Sequence, residues 1–187
     1  MESQKSLEII QNMMNESKRS LVKNSFFFIM WAALLVPSGI IEYTLAGTKM
    51  AYFVWPVMAL IGGIISTIYS KKESKRVGVS TFSDRISGYT WGGFGFALFF
   101  SIAFSIKIQF PPHALILMVA GLAVFINGGI SNFKPFIFGA IALEIGAMVC
   151  GFLVDPIYHS LVFSASIFVG YLVPGISLRK LENEQAQ

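Results

Sequence analysis

The chain has 187 residues, of which 55% are hydrophobic and 13% are charged, and its mean hydropathy is +0.67. A soluble core of this size cannot hide so much apolar surface, which excludes an ordinary soluble domain and indicates a membrane protein. The single cysteine, Cys150, has no partner for an internal disulfide and no neighbouring Cys/His cluster. We therefore expect no structural metal and no cofactor.

The first 22 residues are polar and mixed in charge, and the apolar run after them is too long for the core of a signal peptide. Within residues 1–22, Leu7, Ile10, Met14 and Leu21 fall on one helical stripe. This spacing predicts a short amphipathic helix. Such a helix can lie on the membrane surface, dock on a protein partner or fold back on the bundle's own loops.

Six apolar runs follow, each close to the roughly 20 residues that a helix needs to cross about 30 Å of hydrocarbon. They cover residues 24–41, 50–70, 86–106, 108–133, 135–154 and 156–178. The predicted fold class is therefore all-α, a polytopic membrane protein with six transmembrane helices over residues 23–180 and a tail over 181–187. Pro37 and Pro174 are expected to interrupt the first and sixth helices.

The distribution of basic residues predicts the orientation. Of the 14 Lys and Arg residues, Lys49 and Lys107 lie on one side of the predicted helices and the other twelve lie on the opposite side. Because basic residues concentrate in cytoplasmic loops, we expect both termini in the cytoplasm. The same bias accounts for the net charge of +4, so the charge gives no reason to expect binding to nucleic acid.

Related short sequences end the second, fourth and sixth runs: GGIIS at 62–66, GGIS at 128–131 and PGIS at 174–177. They suggest three tandem helical hairpins, 24–70, 86–133 and 134–180, related by an axis along the membrane normal. The small residues either let helices pack closely or ring a cytoplasmic vestibule. The residues concerned are Gly62, Gly63, Ser66, Gly128, Gly129, Ser131, Gly175 and Ser177.

Glu144 is the only charged residue in the fifth run, near its middle. An acid at this depth costs about 2.5–3.5 kcal/mol on insertion scales, so it normally has a partner or a function. It can donate a hydrogen bond as the neutral acid, bind a cation or cationic solute, or relay protons. Asn127 is the expected side-chain neighbour, and Ser164 and Ser166 fall near the same depth, although serine in a membrane helix often bonds backbone.

Four further polar residues, Glu42, His113, Asp155 and His159, collect at the predicted outer face. Two histidines and two acids are suitable ligands for a divalent metal or a proton-sensing site, but the short spacings typical of metal sites are absent. A solvated rim is the simpler interpretation.

The segment over residues 71–85 carries five basic residues and is predicted to be the longest loop. Its charge suits anionic lipid headgroups. No nucleophile, phosphate-binding or metalloprotease motif occurs in a suitable context, so we expect no enzyme.

Several segments together resemble a group of bacterial six-span integral membrane proteins. They are SLEIIQNMM at 6–14, the aromatic run ending at Trp31, GGIISTIYSKK at 62–72 and YLVPGISLRK at 171–180. The resemblance implies a multi-pass protein of the inner membrane and brings no substrate, cofactor or functional residue. Size and span number are also similar to the substrate-binding subunits of small vitamin transporters, by analogy alone.

The sequence thus leaves two functions open. In the first, the bundle binds or passes a small solute, ion or proton at Glu144. In the second, the protein is a sensor or accessory subunit that recruits a partner through its N-terminal helix and basic loop.

Overall fold

The computed structural model describes residues 24–77 and 82–185, where all regular structure is helical. The first five helices are α1 (Asn24–Thr44), α2 (Ala51–Val77), α3 (Phe82–Ile108), α4 (Pro112–Ser131) and α5 (Lys134–Phe152). A sixth helical stretch follows, made of a 3-10 turn (Pro156–Tyr158), α6 (His159–Ile167), a π-helical segment (Phe168–Leu172) and α7 (Val173–Gln185).

Within the described residues, six helices are long and apolar enough to cross a membrane, as the apolar runs predicted. They cover Ser25–Thr44, Ala51–Lys72, Arg85–Ile108, Pro112–Ser131, Lys134–Phe152 and Pro156–Leu181. We call the last of these the sixth span. The predicted amphipathic helix at 1–22 lies outside the described residues.

The long basic loop predicted over residues 71–85 is wrong. α2 continues to Val77 and α3 begins at Phe82, so most of this segment is helical. A run of Lys, Glu, Ser and Arg ends a membrane span, because charges are costly in hydrocarbon. The same residues are compatible with a helix that continues into water.

Four of the helices form the centre of the bundle, and α2 and α3 lie at its edge. α1 packs against α2 and the sixth span, α4 packs against α3 and α5, and the sixth span also contacts α4 and α5. Only 11% of the α2 span and 6% of the α3 span is buried within the protein, compared with 28–50% of the other four. The core residues include Phe28, Leu117, Val124, Phe136, Leu143, Phe163, Ile167 and Tyr171.

Glycine allows the close contact between α5 and the sixth span. A Cβ atom on Gly139 would lie 2.7 Å from the Gly170 carbonyl oxygen, and one on Gly170 would lie 3.0 Å from the Gly139 oxygen. The two backbones are therefore in direct contact. Lipid gives helices no hydrophobic reason to associate, so close packing of this kind has to supply the attraction.

Proline does not break the helices in the way the sequence suggested. α1 continues through Pro37, where the Ser38 hydroxyl donates to the Leu34 carbonyl at 2.6 Å. The sixth span widens into its π-helical segment just before Pro174, which lies within α7. Side-chain hydroxyls and local changes in helix type can satisfy the backbone groups that proline disturbs, so the interruption is local.

Candidate functional site

Glu144 lies where α5 packs against α4, on the flank of its helix between the buried and the exposed faces. Its neighbours Leu143 and Ala147 are buried, and Ile145 is exposed. The carboxyl group lies over Gly121 of α4, because a Cβ atom on that glycine would be 2.5 Å from Glu144 Oε1. The missing side chain of Gly121 thus makes the space that the acid occupies.

The carboxyl group of Glu144 has no hydrogen bond and no ion pair with any residue in the described ranges. No His or Asp side chain of the described residues lies within hydrogen-bonding reach of it. An acid in the middle of a membrane span without an internal partner is unusual, because hydrocarbon offers no compensation for its polarity. Within residues 24–77 and 82–185, the polarity of the Glu144 carboxyl group is therefore not compensated by another side chain.

The structure does not pair Asn127 with Glu144, although Asn127 was the best side-chain partner that the sequence offered. The Asn127 amide donates to the Ala123 carbonyl at 3.0 Å and accepts from the Ser87 hydroxyl of α3 at 3.1 Å. Asn127 lies six residues, or about 9 Å, further along α4 than Gly121. Its side chain therefore joins α3 to α4 and forms no hydrogen bond with Glu144.

The two serines of the sixth span that were predicted near Glu144 also form hydrogen bonds with backbone groups. The Ser164 hydroxyl donates to the Val36 carbonyl of α1 at 2.9 Å, and the Ser166 hydroxyl donates to the Val162 carbonyl at 2.8 Å. Both hydroxyls lie beside glycines, Ser164 at Gly39 and Ser166 at Gly146. They mark close helix contacts, which is the packing role that serine commonly has in membrane helices.

Packing also accounts for part of the Gly/Ser set at the predicted cytoplasmic ends. Gly62 lies against the ring of Trp31, Gly128 against Phe136 and Ile137, and Gly175 against Phe28 and Ile29. In each case a glycine receives a large side chain from an odd-numbered helix. Gly63 and Gly129, in contrast, have no atom near the position of a Cβ.

The serines of this set differ from one another. The Ser131 hydroxyl donates to the Asn127 carbonyl at 2.6 Å, and the Ser177 hydroxyl donates to the Val173 carbonyl at 2.9 Å. The Ser66 hydroxyl is buried and has no hydrogen-bond partner in the described part of the chain. The three related sequences thus occupy unlike surroundings.

The opposite end of the bundle carries the connections at 45–50, 109–111 and 153–155, and we call it the outer end. Here Glu42 of α1, His113 of α4 and His159 of α6 come together. His113 Nε2 is 2.9 Å from Glu42 Oε2, and the centroids of the two imidazole rings are 6.3 Å apart. His159 Nε2 is 3.2 Å from the Val154 carbonyl oxygen.

This cluster is not a solvated rim. His159 is 6% exposed, and the side chains of His113 and Glu42 are 12% and 22% exposed. Asp155 alone of the four predicted residues is exposed. The three other residues lie where α6 packs against both α1 and α4, which shields them in part.

Sequence reasoning missed the aromatic side chains that surround His113. The ring centroids of Trp55 of α2 and Phe163 of α6 lie 5.6 and 5.5 Å from that of His113, and 5.0 Å from each other. The indole Nε1 of Trp55 is buried without a hydrogen-bond partner among the described residues. Trp55 lies in the first turns of α2, at the same membrane end as His113. In the sequence, this shared end was the one indication that the two residues are close.

No family model, no curated protein and no solved structure matches this chain. Its function therefore has to be inferred from its own residues.

Proposed function

We propose that this six-span membrane protein binds or passes a small solute, ion or proton at Glu144. The observation that carries the proposal is an acid in the middle of an apolar helix that has no partner among the described residues. A purely structural acid would gain most by a hydrogen bond to a neighbouring helix, as Asn127 gains from Ser87. A binding group has to keep its carboxyl oxygens available.

The surroundings of Glu144 support such a role. Gly121 lets the carboxyl group lie between α4 and α5, so the acid is close to the core. The side chain is nevertheless half-buried, with the exposed Ile145 next to it. Apolar walls beside one polar group are typical of small-ligand sites, because the walls exclude water and strengthen the remaining electrostatic contact.

The experiment compares wild type with Glu144→Gln, which keeps the shape and removes the charge. Purified protein is screened by thermal unfolding against metal ions, amines and a pH series, and proteoliposomes report flux with a pH-sensitive dye. A ligand present at 100 times its Kd should stabilise the wild type by about 2.7 kcal/mol, or about 5–10 °C. Glu144→Gln should abolish that shift.

Two glycine variants of α4 provide a matched pair. Gly121→Ala puts a methyl group where the Glu144 carboxyl lies and should move that flexible side chain, weakening the ligand response while the bundle stays folded. Gly129→Ala meets open space on the same helix and should respond like the wild type. The proposal is wrong if Glu144→Gln matches the wild type under every ligand, pH and flux condition.

The orientation belongs to the same proposal. With twelve of 14 basic residues on one side, we place both termini in the cytoplasm, in the inner membrane of a bacterium, with the helices grouped as tandem hairpins 24–70, 86–133 and 134–180. Single cysteines at Thr48 and Asn132, in a Cys150→Ala background, test the orientation. A membrane-impermeant maleimide should label Thr48→Cys in intact cells and label Asn132→Cys only after permeabilisation.

A further inference from the structure

The two histidines at the outer end both use the same ring nitrogen for an internal hydrogen bond. His113 Nε2 faces the Glu42 carboxylate, and His159 Nε2 faces the Val154 carbonyl. A carboxylate and a carbonyl only accept hydrogen bonds, so each Nε2 carries the proton. In a neutral imidazole the other nitrogen, Nδ1, then has a free lone pair.

This arrangement is the one that proteins use to prepare histidine for a metal. A ligating histidine normally donates its other N–H to a carboxylate or a backbone carbonyl, which sets the tautomer and the ring orientation. Here the carboxylate of Glu42 is the partner of His113, and the backbone carbonyl of Val154 is the partner of His159. The two rings are neighbours, with centroids 6.3 Å apart and planes inclined by 56°.

We propose that the outer end binds a divalent transition-metal ion between Nδ1 of His113 and Nδ1 of His159. Water completes the coordination, since no group of three or more His, Cys, Asp or Glu side chains in residues 24–77 and 82–185 is arranged to hold a metal. Glu42 and the Val154 carbonyl are positioning groups. Imidazole nitrogen favours zinc, copper and nickel over magnesium or calcium.

The ring separation is close to what such an ion requires. With a metal–nitrogen distance of about 2.0–2.1 Å, the ion lies about 3.2 Å from each ring centre. A tetrahedral angle at the ion then puts the two centres about 5.2 Å apart, so the rings have to approach by about 1 Å.

The surrounding residues favour a cation held by few protein ligands. The rings of Trp55 of α2 and Phe163 of α6 pack beside the His113 ring and orient it. The carboxylate of Glu42 supplies negative charge one ring away from the ion. None of these residues belongs to the Glu144 site, so the metal site stands independently of the proposed function.

Because His113 and His159 are the only histidines in the chain, nitrogen-15 NMR of labelled imidazoles reports this site alone. The protein should carry a purification tag without histidine. We expect both rings as Nε2–H tautomers in the metal-free protein at neutral pH. Addition of Zn²⁺ should shift both Nδ1 resonances, and Co²⁺ should give a visible absorption band.

Variants identify the ligands. His113→Gln and His159→Gln should each weaken Zn²⁺ binding at least tenfold, Glu42→Gln should weaken it less, and the exposed Asp155→Asn should stay within about twofold of the wild type. Glu144→Gln should leave Zn²⁺ binding unchanged, which separates this site from the proposed function. Protection of Cys150 from thiol reagents confirms that each variant is folded.

An Nδ1–H tautomer at either ring of the wild type would overturn the proposal. So would Nδ1 resonances that do not move with Zn²⁺, or Zn²⁺ binding that persists in the double histidine variant. The wild-type NMR spectrum decides the question even if a histidine variant fails to fold.

Discussion

A methyl group added at Gly139 should destabilise the bundle, because α5 and the sixth span touch there through their backbones. The new Cβ would lie 2.7 Å from the Gly170 carbonyl oxygen and 3.2 Å from Pro174 Cγ. An ordinary carbon–oxygen contact is about 3.3–3.6 Å, so the sixth span has to move by about 0.6–0.9 Å. Neither a carbonyl group nor a proline ring can rotate away.

The expected loss follows from this displacement. Overpacking of a tight core costs about 1–3 kcal/mol, and a contact with rigid backbone belongs in the upper half of that range. Alanine regains about 0.5–1 kcal/mol over glycine within a helix. The net loss in the free energy of unfolding is then about 1–2.5 kcal/mol, or about 2–10 °C in a chain of this size.

The protein contains its own reporter of unfolding. Cys150 is the only cysteine and is 1% exposed, so a thiol reagent reaches it when the bundle opens. Reaction of Cys150 in detergent, followed against temperature, gives the midpoint for Gly139→Ala and for its control Gly95→Ala, whose Cβ meets open space. A midpoint for Gly139→Ala at or above that of the wild type would refute the backbone contact.

Two further changes test the core and the polar link between helices by the same assay. Phe28→Ala removes a ring packed against Phe136 and should lower the free energy of unfolding by about 2–4 kcal/mol through lost contacts. Its control is Phe99→Ala, at a residue that is 69% exposed, which should change that free energy by less than about 0.5 kcal/mol. Equal effects of the two would contradict the assignment of core and lipid faces. Ser87→Ala removes the hydrogen bond to Asn127 and should lower the free energy of unfolding by about 0.6 kcal/mol. A loss above about 2 kcal/mol would show that this hydrogen bond does more than join α3 to α4.

The six spans could be predicted from the sequence because hydrocarbon imposes a one-dimensional constraint. A helix that crosses it needs about 20 apolar residues, and charged residues mark the two ends of that run. Both features can be read from the sequence without knowing which helices are neighbours. The structure has six such helices within the described residues, at bounds close to the predicted runs. The helical extensions to Val77 and from Phe82 were missed, because hydropathy reports where the membrane ends and not where the helix ends.

The candidate site was harder to predict than the spans. Counting residues along a helix gives the depth of a side chain in the membrane, but it does not show how the helix is rotated about its own axis. Asn127 was the best side-chain partner for Glu144 in the sequence despite a nominal depth several residues closer to the cytoplasm, yet it turns towards Ser87 of α3. His159 was expected in a solvated rim, yet the packing of α6 against α1 and α4 buries it and brings His113 near. Which side chains meet depends on how each helix is turned about its axis.

The sequence by itself determined that this chain has six helices suited to lipid, with a lone acid in the fifth and polar groups at one end. Only the tertiary structure decided that Gly121 makes room for Glu144, that the acid has no internal partner in the described residues, and that Glu42, His113 and His159 form one cluster. The physical reason lies in the solvent. Whether a segment crosses the membrane as a helix depends on its own apolar composition. How the helices are arranged depends on the close contacts that small residues allow between them.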